Sequence, residues 1–170
     1  GGGDSAETAD AKVVETAKYN SEYFADVVPN NDGEFIGLEL GDPRDAVKGK
    51  LPNDAFDDET DSYLYYYWEL DTLGNNQYYL DLYFDESDNL NSIDGYVYFY
   101  DTDNNYDDAA AKAFYTDMKE NFVAKYGSEE EYSDEEFTYT SWYLDDKDAE
   151  VGLDGGEVYW YIYSDEDLDM

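Results

Sequence analysis

Apolar and polar positions alternate with period two over six stretches, at about 63–70, 77–84, 92–100, 137–144, 148–153 and 157–163, and this alternation predicts six strands. In Tyr63-Leu64-Tyr65-Tyr66-Tyr67-Trp68-Glu69-Leu70, one phase reads Leu64, Tyr66, Trp68, Leu70 and is an ordinary core face. The other reads Tyr63, Tyr65, Tyr67, Glu69, where a sheet covered on one side should be plainly polar. Tyrosine takes the same phase in Gly95–Tyr100 and in Glu157–Tyr163. Leu73-Gly74-Asn75-Asn76, Asp85–Asn89 and Asp154-Gly155-Gly156 are the turns between strands. Over 108–126 the period changes: Ala110, Phe114, Met118, Phe122 and Tyr126 recur every four residues, and Gly127 follows as a C-cap, which predicts a helix. A shorter helix is expected over 42–51, with Asp42 as N-cap, Pro43 at the first helical position and Pro52 as the stop. A third is expected over 11–28, from Val13, Val14, Ala17, Phe24, Val27 and Val28, although Asn20 and Ser21 interrupt its stripe. Residues 34–40 read as a short extended piece and 53–62 as an acidic loop.

The order of elements repeats. The helix at 42–51 precedes a strand ending Tyr67-Trp68-Glu69-Leu70, and the helix at 108–126 precedes one ending Ser141-Trp142-Tyr143-Leu144; a hairpin and a tyrosine-rich strand follow each. The expected fold is α+β, an antiparallel sheet of about six strands built from two helix-plus-three-strand repeats, with the helices packed on one face. Residues 1–33 form a tether and N-terminal helix, 34–106 the first repeat, and 107–170 the second, sharing one sheet. The stretches Leu38-Glu39-Leu40-Gly41-Asp42-Pro43, Tyr79-Leu80-Asp81-Leu82-Tyr83-Phe84-Asp85 and Phe122-Val123-Ala124-Lys125-Tyr126-Gly127 resemble the small lipoprotein domains of the SmpA/OmlA (BamE) group. Over about residues 34–163 the chain more closely resembles the tandem form of that unit in beta-lactamase-inhibitor-protein-like folds. The resemblance implies a helix-backed antiparallel sheet whose open face binds protein. The chain departs from it in its acidity and in lacking cysteine.

Composition narrows the function. Forty-five acids stand against nine bases in 170 residues, a formal charge of −36, yet 42% of residues are hydrophobic and 19% aromatic, so the chain folds rather than remaining an acidic coil. Nucleic acid is excluded as a partner, because phosphate contact needs a basic footprint. The same repulsion disfavours anionic membrane surfaces, leaving an N-terminal lipid anchor as the route to a membrane. With no Cys and no His, thiol nucleophiles, disulfides, Cys/His zinc sites and His-based triads are absent. No apolar run approaches the roughly 18 residues of a spanning helix. The small, polar, acidic start Gly1–Asp10 resembles the tether that follows the lipidated cysteine of a mature bacterial lipoprotein, which places the protein in the cell envelope or outside the cell.

Candidate chemistry is sparse. Asp101, Asp103 and Asn105 match the opening ligands of a calcium loop, but Tyr106 stands where the turn needs Gly and Lys112 where the bidentate Glu belongs; a loop capping the following helix is the plainer reading. A glycosidase would need two carboxylates at a defined separation. No acid sits alone in an apolar run in a way expected to raise its pKa, and Asp81 falls on the outward face with Tyr79 and Tyr83. Neither a catalytic residue nor a cofactor is expected. With Trp68, Trp142 and Trp160 inward, the outward set is Tyr63, Tyr65, Tyr67, Tyr79, Tyr83, Tyr96, Tyr98, Tyr100, Tyr139, Tyr143, Tyr159, Tyr161 and Tyr163. Tyrosine offers large contact area at low entropy cost, so this face is the expected binding surface for a protein partner. High strand propensity on a solvated sheet is the competing explanation for the same residues. A carbohydrate ligand and an inhibitor role against a basic partner are the alternatives.

Overall fold

The computed structural model describes residues 18–127, 130–133 and 137–165. Among these, three helices are α1 (Phe24–Val27), α2 (Arg44–Lys50) and α3 (Asp108–Tyr126). Eight strands are β1 (Phe56–Glu59), β2 (Tyr63–Glu69), β3 (Gln77–Phe84), β4 (Leu90–Tyr98), β5 (Glu130–Ser133), β6 (Phe137–Tyr143), β7 (Lys147–Asp154) and β8 (Glu157–Ser164). All pair antiparallel in one sheet, in the order β1-β2-β3-β4-β8-β7-β6-β5. The fold class is therefore α+β with an antiparallel sheet. The sheet is wider than the expected six strands because β1 and β5 extend its two outer edges.

Alternation decides which side is covered. Leu64 and Tyr66 of β2, Leu80 and Leu82 of β3, Ile93 and Val97 of β4, Ala149 and Val151 of β7, and Val158, Trp160 and Ile162 of β8 are buried on one face. The long helix α3 lies on that face against β7 and β8. Its every-fourth-residue stripe meets the sheet through aromatic rings: Phe114 packs on Phe99 (5.4 Å) and Trp160 (5.9 Å), and Phe122 on Trp142 (5.5 Å). Asp107 caps the helix by accepting from Ala110 N, and Gly127 ends it in a left-handed conformation (φ 89°) suited to a residue without Cβ. Gly95 is needed for a different reason. The Trp160 ring lies across it so closely that an added Cβ would sit 2.3 Å from ring carbons.

Four local expectations differ from the structure. The piece expected to be extended over 34–40 is a tight turn, in which Phe35 bridges to Leu38 and Ile36 and Gly37 take positive φ (47° and 88°). The helix expected over 11–28 is, among described residues, a single turn at Phe24–Val27, and residues 11–17 lie outside the described ones. Asn20 and Ser21 are instead held by the buried Asp117 of α3, whose carboxylate accepts from Asn20 N (3.0 Å), Asn20 Nδ2 (2.9 Å) and Ser21 N (2.7 Å). Asp42 does not cap α2, which begins at Arg44 after Pro43; its carboxylate accepts from Glu39 N (3.1 Å) and pairs with Lys50 (2.9 Å). The acidic stretch 53–62 holds β1, an edge strand of FDDE paired to β2. Two bases of α2 hold that edge: Arg44 and Lys48 both bond Glu59, at 3.2 and 3.0 Å.

Candidate functional site

Opposite phase leaves the tyrosines on the face away from α3. Twelve of the thirteen expected there are half-buried and Tyr143 is 69% exposed; among the described residues no helix covers them. Trp142 and Trp160 are buried on the inner face as expected, while Trp68 shares their phase but is half-buried near the sheet end, stacked on Tyr78 (4.5 Å, 13°). Tyr100 lies just past β4 and bridges to Tyr106.

The tyrosine rings form an ordered lattice. Tyr63 and Tyr65 stack at 3.9 Å, Tyr67 and Tyr79 meet at 4.9 Å, and Tyr79 stacks on Tyr96 at 4.9 Å. From there contact passes through Tyr98 to Tyr100 and Tyr106. On the other half, Tyr159, Tyr161 and Tyr163 run down β8 at 6.3 and 5.5 Å spacings. The cross-strand pairs Tyr67–Tyr79 and Tyr79–Tyr96 stabilise the sheet by roughly 0.2–1 kcal/mol each, and together with the contacts along single strands they hold the rings in place before any partner arrives.

Register adds a feature that strand phase alone does not reveal. Paired residues across the strands run Tyr67, Tyr79, Tyr96, Tyr159, Gly152, Tyr139 in one row and Tyr63, Tyr83, Ser92, Tyr163, Asp148, Tyr143 in another. Between them lies a row of Tyr65, Asp81, Asp94, Tyr161, Glu150 and Ser141. Gly152 has its role here: the Tyr159 ring crosses it, and a Cβ would meet that ring at 2.1 Å. From there the Tyr159 hydroxyl donates to Glu150 (2.6 Å), as Ser141 Oγ does (3.0 Å). Ser92 Oγ donates to Asp94 (2.6 Å), and the Tyr163 hydroxyl donates to Asp148 (2.9 Å).

The expectation that no acid has a raised pKa is overturned. Burial pushes the Asp81 carboxyl up to about 6, with the Asp94 charge across the strand adding to the rise and a Tyr96 hydrogen bond opposing it. Asp94 is also raised by burial, against a Ser92 hydrogen bond that lowers it, and Glu157 is raised by burial and by the Asp154 charge. The sequence concealed this because the burial comes from the neighbouring tyrosine rings rather than from an apolar run. The phenols of Tyr83, Tyr96, Tyr159 and Tyr161 are raised by burial first and by nearby hydroxyl or carboxylate groups second, so they stay protonated at neutral pH and act as donors.

The calcium candidates form a tight turn. Asp101 Oδ1 accepts from Asp103 N (2.9 Å) and Asn105 N (3.0 Å), and Asn104 takes a left-handed conformation (φ 64°). Asp85 does the same for Ser87 N and Asn89 N. Among the described residues no group of three or more acids could hold a metal ion. A polar cleft of about 240 Å³ at the end of the sheet is lined by Glu34, Asp85, Asp146 and Lys147 among others, and its one base is already bound to Glu34 at 2.6 Å. Asp81 and Asp94 take no part in it.

Compared with protein-family models, curated proteins and solved structures, the chain matches none.

Proposed function

We propose that this chain is a non-enzymatic binding protein that uses its tyrosine face to contact a protein partner. One observation carries the reading: about a dozen tyrosines, pre-ordered by ring contacts, lie half-exposed on a sheet face that no described element covers. Rigid amphipathic rings with protonated hydroxyls supply contact area and hydrogen bonds at small ordering cost. The perturbed acids lie on this open face outside the cleft, a setting for recognition rather than for converging acid–base chemistry. We further propose that the sheet arose from two related units, 34–106 and 107–170. The strand order supports this, since the last strands of the two halves, β4 and β8, pair at the centre and each half runs outward from there. The composition of residues 1–10 supports export and anchoring through a lipidated tether.

Site-directed photocrosslinking tests the binding face. A photoreactive phenylalanine analogue would replace Tyr98 or Tyr161 on the tyrosine face, or exposed Glu120 on α3, in cells that make the protein. Protein adducts confined to the tyrosine-face positions are expected. Adducts from Glu120 alone would overturn the reading, and suppression of adducts by soluble polysaccharide would move it to a carbohydrate ligand.

A further inference from the structure

Charge is distributed unevenly between the two sides of this sheet. Across the eight strands one basic residue occurs, Lys147, and it shares the phase of Ala149 and Val151 and bonds Glu34 on the covered side. Arg44, Lys48 and Lys50 are bound near α2, and Lys125 of α3 donates to backbone carbonyls of the 31–34 turn. The tyrosine face thus presents carboxylates with no strand cation among them. Its middle row sets Asp81 directly opposite Asp94, with Glu150 two strands further on. Each is hydrogen-bonded by a neutral hydroxyl, from Tyr96, Ser92, or Ser141 and Tyr159. Like charges directly opposite in a sheet are destabilising, and here they are half-buried as well. A fold that retains such a pair at its centre, walled by aromatic rows, presents a site complementary to a cation.

We propose that the tyrosine face docks a basic protein segment, with arginine or lysine side chains seated on the Asp81–Asp94–Glu150 row between the two tyrosine rows. This rests on the tyrosine face being the binding surface and names the chemistry of its partner. The spacing suits a guanidinium. Directly opposed side chains in an antiparallel pair lie about 4.5–5.5 Å apart at Cβ, within reach of one planar fork. The flanking Tyr65, Tyr83, Tyr96 and Tyr161 rings supply faces on which a cation or its methylene stem can lie. Arrival of the positive charge relieves the Asp81–Asp94 repulsion, so recognition and the local strain of charge are coupled.

The test is a titration of the isotopically labelled protein with a fluorescent alternating arginine–serine peptide at physiological salt, followed by NMR and by anisotropy. Two charge-matched double variants are compared: Asp81→Asn/Asp94→Asn on the face, and Glu86→Gln/Glu120→Gln at exposed positions away from it. Expected are shifts at the amides around Tyr65, Tyr96 and Tyr161, an affinity loss of about tenfold or more in the face variant, and a change within about twofold in the control. The face variant removes a repulsion and should melt no lower than the parent, so its loss of binding is not a loss of fold. Equal losses in both variants would overturn the inference, leaving overall charge as the attraction. Shifts on the face with affinity indifferent to Asp81→Asn/Asp94→Asn would overturn the basic partner but keep the binding surface. Shifts confined to the helices or loops would overturn both.

Discussion

Replacing Asp81 with asparagine should stabilise this protein at neutral pH and do progressively less as the solution is acidified. Asp81 faces Asp94 on β4 and Tyr65 on β2, with Tyr79 and Tyr83 beside it on β3 and the Tyr96 hydroxyl on its carboxylate. Its pKa rises from an ordinary 3.8 to about 6, so the folded chain holds a proton that the unfolded chain has released. Between those two values stability falls as pH rises; the cost is absent below the lower value and fully present above the upper. Two units correspond to about 3 kcal/mol if unscreened, and the half-buried setting reduces this to about 1–2 kcal/mol. Asparagine keeps an oxygen to accept from Tyr96 and carries no charge. With a urea slope of about 2 kcal/mol per molar, the unfolding midpoint of Asp81→Asn should lie about 0.5–1 M higher than the parent at pH 8. About half of that gain should survive at pH 5, close to the isoelectric point of about 4.1, where solubility limits lower readings. Urea unfolding of both proteins at pH 5, 6, 7 and 8 reads this directly. A variant less stable than the parent at pH 8, or a gain of equal size at pH 5 and 8, would refute the reasoning.

Other perturbations follow from packing and charge. Gly95→Ala places a methyl group inside the Trp160 ring and should cost about 1–3 kcal/mol, seen as a lower urea midpoint and altered tryptophan fluorescence. Gly152→Ala should displace the Tyr159 ring from its seat and break its bond to Glu150, shifting the Tyr159 ring resonances while leaving the core signals of Trp142 in place. Asp117→Ala strands three donors of the 20–21 segment and should cost about 2–3 kcal/mol, with faster amide exchange at Asn20 and Ser21. A formal charge of −36 predicts a melting temperature that rises with sodium chloride, steeply at first and then levelling as the Debye length shrinks to a few ångströms.

The parts of this structure that were legible in the sequence are those set by periodicity within one segment. The four-residue recurrence from Ala110 to Tyr126 marks α3 to its observed ends, because a helix reads its partner through one stripe. Alternation places six strands and puts the tyrosines on the face away from α3, since phase follows from any one buried neighbour. Edge strand β1 was hidden because Asp57, Asp58 and Glu59 carry no alternation; backbone pairing to β2 and the bases of α2 hold it. The segment around Asn20 departs from its helical pattern for a similar reason, its partner Asp117 being 97 residues away. The acidic row is the deepest case. Asp81, Asp94 and Glu150 are unremarkable among forty-five acids, and they become neighbours through register, which no single strand encodes. That register is set at the Asp85–Asn89 turn, where Asp85 accepts from Ser87 N and Asn89 N, Asp88 takes a left-handed conformation (φ 63°), and a bulge follows Tyr83. A slip of two residues there would preserve every inward and outward assignment, yet set Asp81 opposite Tyr96 or Ser92 instead of Asp94. The hydrophobic pattern is indifferent to that choice, and charge repulsion opposes the one observed. The turn and the register-specific ring contacts, Tyr79 on Tyr96 and Tyr78 against the Trp160 that crosses Gly95, impose the pairing, so the opposed aspartates are held against their own electrostatics.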